Sequence, residues 1–119
     1  MKPVSELLKL HNTTPRHVRP DESVFDALKQ LAEHEVGALM VMDGGKLVGV
    51  FSERDYTRKI ALQGRNSKET TVADIMTRNV LYVTPQTRTR ACMALMSEKK
   101  IRHLPVVDGG TVVGMISIR

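Results

Sequence analysis

The polar residues of this chain that are spaced as a group begin with Gly49-x-x-Ser52-x-x-Asp55. Arg54, Arg58 and Lys59 fall on or beside the same turn, and Arg102-His103 form a second polar pair just ahead of an apolar run. A hydroxyl and a carboxylate three residues apart suit the first turn of a helix, whose unpaired N–H groups and dipole favour anions. Guanidinium groups beside them suit bidentate contact with phosphate. This is the chemistry of recognition rather than of bond-making, because no nucleophile stands with a base and no cofactor loop is present. His11, His17 and His34 have no metal-like spacing with one another or with Cys92, so no metal site is expected. Gly44-Gly45-Lys46 lacks the spacing of a phosphate loop and reads as a hairpin turn.

The elements that must hold these residues come from a chain of 119 residues, enough for one domain or two closely packed halves. Hydrophobic residues make up 41%, so a core is available and wholesale disorder is not expected. With no Trp, two Tyr and two Phe, that core must be built from Val, Leu, Ile, Met and Ala. Met40, Met42, Met93, Met96 and Met115 read as core filler, and Cys92 as a core thiol on an apolar helix face. The single cysteine permits no internal disulfide and fits a reducing compartment. The net charge of +5 could serve nucleic acid, an anionic membrane or a phosphorylated ligand. Few aromatics for base stacking and no continuous basic tract favour the small ligand over nucleic acid. The opening residues carry no long apolar run, so neither a signal peptide nor a membrane span is expected, and the location expected is cytoplasmic.

The strongest signal is an internal repeat. A shift of 65 residues lays Arg16–Arg54 on Leu81–Arg119 without a gap. Val18 meets Val83, Pro20 meets Pro85, Leu39 meets Leu104, and Asp43-Gly44-Gly45 meets Asp108-Gly109-Gly110. Val48-Gly49 meets Val113-Gly114, and Ser52 meets Ser117. Each copy reads as a short extended piece (RHVRP, LYVTP), a helix, a strand (ALMVMD, HLPVVD), an Asp-Gly-Gly turn and a second strand (KLVGVF, TVVGMI). In copy one, Val24, Ala27, Leu28, Leu31 and Ala32 form one apolar helix face; Thr89, Cys92, Met93 and Met96 take the matching places in copy two. Asp21 or Ser23, and Thr87, are the expected N-caps. A second helix is expected in copy one from near Ser52 to about Gln63, followed by the loop GRNSKETT. VADIM resembles VSELL near the start, so each copy is expected to have a short leading helix. The expected fold is α/β (α+β), two β-α-β-β-α units packed about a pseudo-twofold axis. The expected boundaries are repeat one at 1–65, a linker at 66–71 and repeat two at 72–119, with its final helix missing.

These doubled segments resemble the cystathionine-β-synthase (CBS) domain, and two in tandem resemble a Bateman module. The resemblance rests on the strand–Asp-Gly-Gly–Val-Gly pattern, on IRHLPVVD, and on the Gly-x-x-Ser-x-x-Asp of Gly49, Ser52 and Asp55, and it covers nearly the whole chain. It implies a non-catalytic regulatory module that binds an adenine-containing ligand (AMP, ADP, ATP, NAD(H) or S-adenosylmethionine) in the cleft between copies, with no cofactor required. It also implies a homodimer and a regulated partner protein.

Carried onto this sequence, the resemblance gives Asp55 the ribose hydroxyls, with Ser52 as a donor beside it. Arg54, Arg58, Arg102, His103 and Arg119 are the expected phosphate-side contacts, and Val18 and Val80 the apolar contacts to the base. Ser117 is the matching serine of a second site, whose aspartate would follow Arg119. The alternatives are plain ones. Asp55 could satisfy a helix dipole, Arg54, Arg58 and Lys59 could be a solvated helix face, and Arg102-His103 could cap a strand or line a dimer surface. The competing function is a structural dimerisation or partner-docking module without nucleotide.

Overall fold

The computed structural model describes Pro3 and residues 16–117. The chain forms two compact units, Arg16–Val80 and a second from Leu81 onward. Both are built on the β-α-β-β order of the repeat, and the fold class is mixed α/β.

In the first unit, β1 (His17–Val18) lies parallel to β2 (Ala38–Asp43), which pairs antiparallel with β3 (Lys46–Ser52). Asp43 partners Lys46 across a two-residue turn, and Gly44 and Gly45 adopt φ of 58° and 83°. That left-handed pair is the backbone of a tight hairpin, and glycine takes it without steric cost. Helix α1 (Val24–His34) buries Val24, Ala27 and Leu31 while Ala32 stays exposed, so the apolar stripe is one residue narrower than the expected face.

The start of α1 leaves no amide unpaired. The Ser23 hydroxyl accepts from the Asp26 amide, and the Ser23 carbonyl from that of Ala27. The Val24 and Phe25 amides donate to the Thr70 and Ser67 carbonyls of the loop that follows the unit's second helical segment. The expected cap at Asp21 or Ser23 therefore falls on Ser23.

A four-residue helix, α2 (Glu53–Tyr56), continues into a π-helical turn, Thr57–Ala61. The short helix α3 (Val72–Ile75) closes the unit. Its Val72 and Ala73 amides donate to the Glu22 and Pro20 carbonyls, and Val72, Ile75 and Met76 enter the same core as Val18, Leu39, Val41, Phe51 and Ile60. The sequence repeat places VADIM at the head of copy two, whereas the compact unit it packs in is the first.

The second unit carries α4 (Thr89–Lys99) and the hairpin β4 (His103–Asp108) and β5 (Thr111–Ser117). Gly109 and Gly110 repeat the turn with φ of 56° and 85°. Both hairpins carry a register shift, at Val41/Met42 and at Val106/Val107, so the repeat extends to the bulge. The extended piece LYVTP is reduced to one parallel bridge, Val83 to Val106. Pro105 stands where Met40 donates its amide to the Arg16 carbonyl, and proline has no N–H to repeat that bond.

Among the described residues, the core of the second unit comprises Val83, Cys92, Met96, Leu104 and Val106. Burial pushes the Cys92 thiol above its usual range, opposed by its own backbone hydrogen bond. Two expectations are corrected here. Met93 is 49% exposed rather than core filler. Thr87 does not cap α4, because its hydroxyl accepts from the Thr84 amide and pairs with the Thr84 hydroxyl, leaving Arg88 at the cap position. The segment VSELL and His11 lie outside the described residues, as does Arg119.

Candidate functional site

The Gly-x-x-Ser-x-x-Asp segment runs from β3 into α2. Ser52 is the last residue of β3 and the N-cap of α2, with an extended backbone. Its hydroxyl accepts from the Asp55 amide at 3.2 Å and donates to Asp55 Oδ2 at 3.1 Å. The same carboxylate oxygen accepts the Ser52 amide at 3.0 Å, which completes a capping box. The three-residue spacing of Ser52 and Asp55 is therefore the spacing of a reciprocal helix cap.

The other carboxylate oxygen is held from further along the chain. Asp55 Oδ1 accepts from Lys59 Nζ at 3.0 Å and from the Thr77 hydroxyl at 3.1 Å. Lys59 Nζ also donates to the Ile75 carbonyl at 2.8 Å, one of the unpaired acceptors at the end of α3. A carboxylate offers about four lone-pair positions, and Asp55 has a donor on each. It is 5% exposed, so this pairing is what makes its burial tolerable.

Gly49 explains how Thr77 comes so close. A Cβ there would lie 2.6 Å from Met76 Sδ and 3.0 Å from the Thr77 carbonyl oxygen. Thr77 pairs with the next residue of β3: its amide donates to the Val50 carbonyl at 2.9 Å and its carbonyl accepts the Val50 amide at 3.0 Å. The glycine of the motif thus admits the segment 76–77, and the aspartate fastens it. On sequence alone Lys59 reads as a helix-face cation; its i,i+4 spacing from Asp55 is the signal that could have found the pair. Thr77, 22 residues from Asp55, carried no local signal.

The remaining expected residues of the first unit divide by exposure. Arg54 and Arg58 are exposed, and Val80 is half-buried. Val18 is 1% exposed and belongs to the core cluster of the first unit. In the second unit, Arg102 is exposed just ahead of β4, and His103, half-buried, is the cross-strand partner of Ser117. Ser117 is exposed at the end of β5, in register as Ser52 is with Ala38. Among the described residues no group of three or more His, Cys, Asp or Glu could hold a metal ion, and no helix is long and apolar enough to cross a membrane.

Two copies of one β-α-β-β unit, each with its hairpin glycines, bulge and terminal serine in register, define a tandem-repeat module rather than an enzyme cleft. Comparison with known proteins gives the class its name: the pattern of the CBS domain matches residues 4–62 and 72–119, and the chain belongs to that family. It is 47% identical over 103 residues to the mitochondrial CBS domain-containing protein CBSX3 of Arabidopsis thaliana, covering 82% of this chain and 50% of the relative. The chain thus spans half the length of that protein. It is 30% identical over 101 residues to the CBS domain-containing protein YhcV of Bacillus subtilis, covering 85% of this chain and 71% of the relative. The solved structure of a putative signal-transduction protein with CBS domains from Burkholderia ambifaria superposes with a TM-score of 0.94 at 47% identity. That match covers 98% of this chain and 88% of the other. Membership of the family makes the module regulatory and non-catalytic.

Proposed function

We propose that the chain is a sensor of adenine-containing ligands, drawn from AMP, ADP, ATP, NAD(H) and S-adenosylmethionine. The observation that carries this reading is the Gly49–Ser52–Asp55 turn in a member of the CBS family. It sets a carboxylate whose oxygens already accept two side-chain hydroxyls next to exposed Arg54 and Arg58. A ribose diol offers the same donors, and guanidinium groups suit the phosphates. Resemblance to the family makes Arg102, His103 and Arg119 further candidate ligand contacts, Val18 and Val80 candidates for the base, and Ser117 a candidate of a second, chemically unequal site. The module works as a homodimer in the cytoplasm and passes ligand occupancy to a partner protein.

The site assignment is tested by calorimetric titration of the double variant Asp55→Asn/Arg102→Ala with each of the five ligands. The asparagine keeps the size of the side chain, so the fold survives better than with alanine. Loss of at least tenfold in affinity is expected; unchanged affinity overturns the assignment.

A further inference from the structure

The Thr77 hydroxyl stands on Asp55 Oδ1 where an incoming ligand hydroxyl would have to stand. Every acceptor position of the carboxylate is taken, and the takers are unequal. Ser52 is part of the helix cap itself, through reciprocal bonds to backbone and side chain. Lys59 is tied both to Asp55 and to the Ile75 carbonyl. Among the described residues, Thr77 is the neutral side chain that reaches Asp55 from outside its own turn, and it is solvent-exposed as a residue while Asp55 is buried. Replacing it exchanges one hydroxyl donor for another, with no charge to desolvate, whereas replacing Lys59 breaks an ion pair.

We propose that Thr77 is a built-in occupant of the ligand-hydroxyl position on Asp55, so that ligand binding displaces it and loosens residues 76–80. The inference rests on the reading of Asp55 as a ribose contact, and adds to it a residue that sets affinity and a segment that reports occupancy. The segment is placed to report: Thr77 is joined to β3 by its two bonds with Val50, and residues 78–80 lead out of the first unit at Val80. Thr77 is a positioning residue in this scheme, since it acts on the ligand through Asp55. Removal of its hydroxyl frees Oδ1 in advance, so the ligand no longer has to compete for it.

The test uses the whole chain as wild type, Thr77→Val and Thr77→Ser. Affinity for AMP, ADP, ATP, NADH and S-adenosylmethionine is measured by calorimetry, and amide hydrogen exchange over residues 76–80 with and without saturating ligand. The valine variant should bind the preferred ligand about two- to tenfold more tightly, the range of one net hydrogen bond. The serine variant, which keeps the hydroxyl, should restore wild-type affinity. Saturation of the wild type should speed exchange at the Thr77 amide. Equal or weaker binding by Thr77→Val overturns the proposal, including the case where that variant is merely less stable. So does ligand that binds saturably and leaves exchange over 76–80 unchanged; either result leaves the nucleotide reading standing. If none of the five ligands binds the wild type, the nucleotide reading falls and the proposal falls with it.

Discussion

Removal of the Asp55 carboxylate strands donors that the fold has arranged around it. Asp55→Ala leaves the Ser52 amide, the Thr77 hydroxyl and Lys59 Nζ without their common acceptor. Lys59 is partly solvent-exposed and can rehydrate, so the expected cost is about 2–4 kcal/mol rather than that of a fully buried pair. Urea unfolding of the variant checks it, and a loss below 0.5 kcal/mol would remove the structural role given to the network (about the floor for one bond). Cys92 makes the second prediction at this scale. Its thiol is raised by burial, so the native state holds the proton to higher pH than the unfolded chain does. The stability this gives is present below the ordinary thiol value and is lost as pH rises through and beyond it. Unfolding midpoints of wild type should therefore fall more steeply on the alkaline side than those of Cys92→Ala. Of the candidate site, Ser52 and Asp55 were legible as a pair at the first turn of a helix because such signals are local, whereas Lys59 on sequence alone is a helix-face cation and its tie to Asp55 came only with the fold. Thr77 was not legible, since its role depends on a close approach that only the folded chain brings about.

The elements follow local rules closely enough that their exceptions stand out. Both long helices end on a residue in the left-handed region, Glu35 at φ 52° and Lys100 at φ 56°, where glycine is the common choice. Glu35→Gly should raise stability by about 0.5–1 kcal/mol, read as a higher thermal midpoint, because the strain removed outweighs the extra freedom of the unfolded glycine. Gly49→Ala should act in the opposite sense and cost about 1–3 kcal/mol, since the new methyl meets Met76 and the Thr77 backbone. Adding Met76→Ala should recover only part of that loss, because a backbone oxygen at 3.0 Å cannot be trimmed away. The four hairpin strands were legible almost to the residue, because the Asp-Gly-Gly turns fixed where they reverse. The paired helix caps were half legible. Ser23 caps as a lone serine before an apolar run should, while Thr87 is drawn away by Thr84.

On the scale of the whole chain, the 65-residue repeat announced two units before any coordinate did. It could not announce which unit the short segment 72–76 would join. Thr71 bridges to Ser23, and Pro3 bridges to Arg88, the position that matches Ser23 in the second copy. Amide bonds from α3 to the turn at 20–22 and the burial of Val72, Ile75 and Met76 decide its place, and these are long-range contacts invisible to periodicity. The proposed ligand is likewise beyond the repeat: a carboxylate proposed to accept a diol, beside exposed guanidinium groups, would select a class of molecule rather than one member of it. The most direct test is a thermal-shift titration of the chain with AMP, ADP, ATP, NADH and S-adenosylmethionine, repeated at high salt. A ligand at a hundred times its dissociation constant stabilises the native state by about 2.7 kcal/mol. The account predicts a saturable rise in the midpoint that singles out one of these ligands and persists at high salt. No rise with any of them would contradict it and leave a structural docking module in its place.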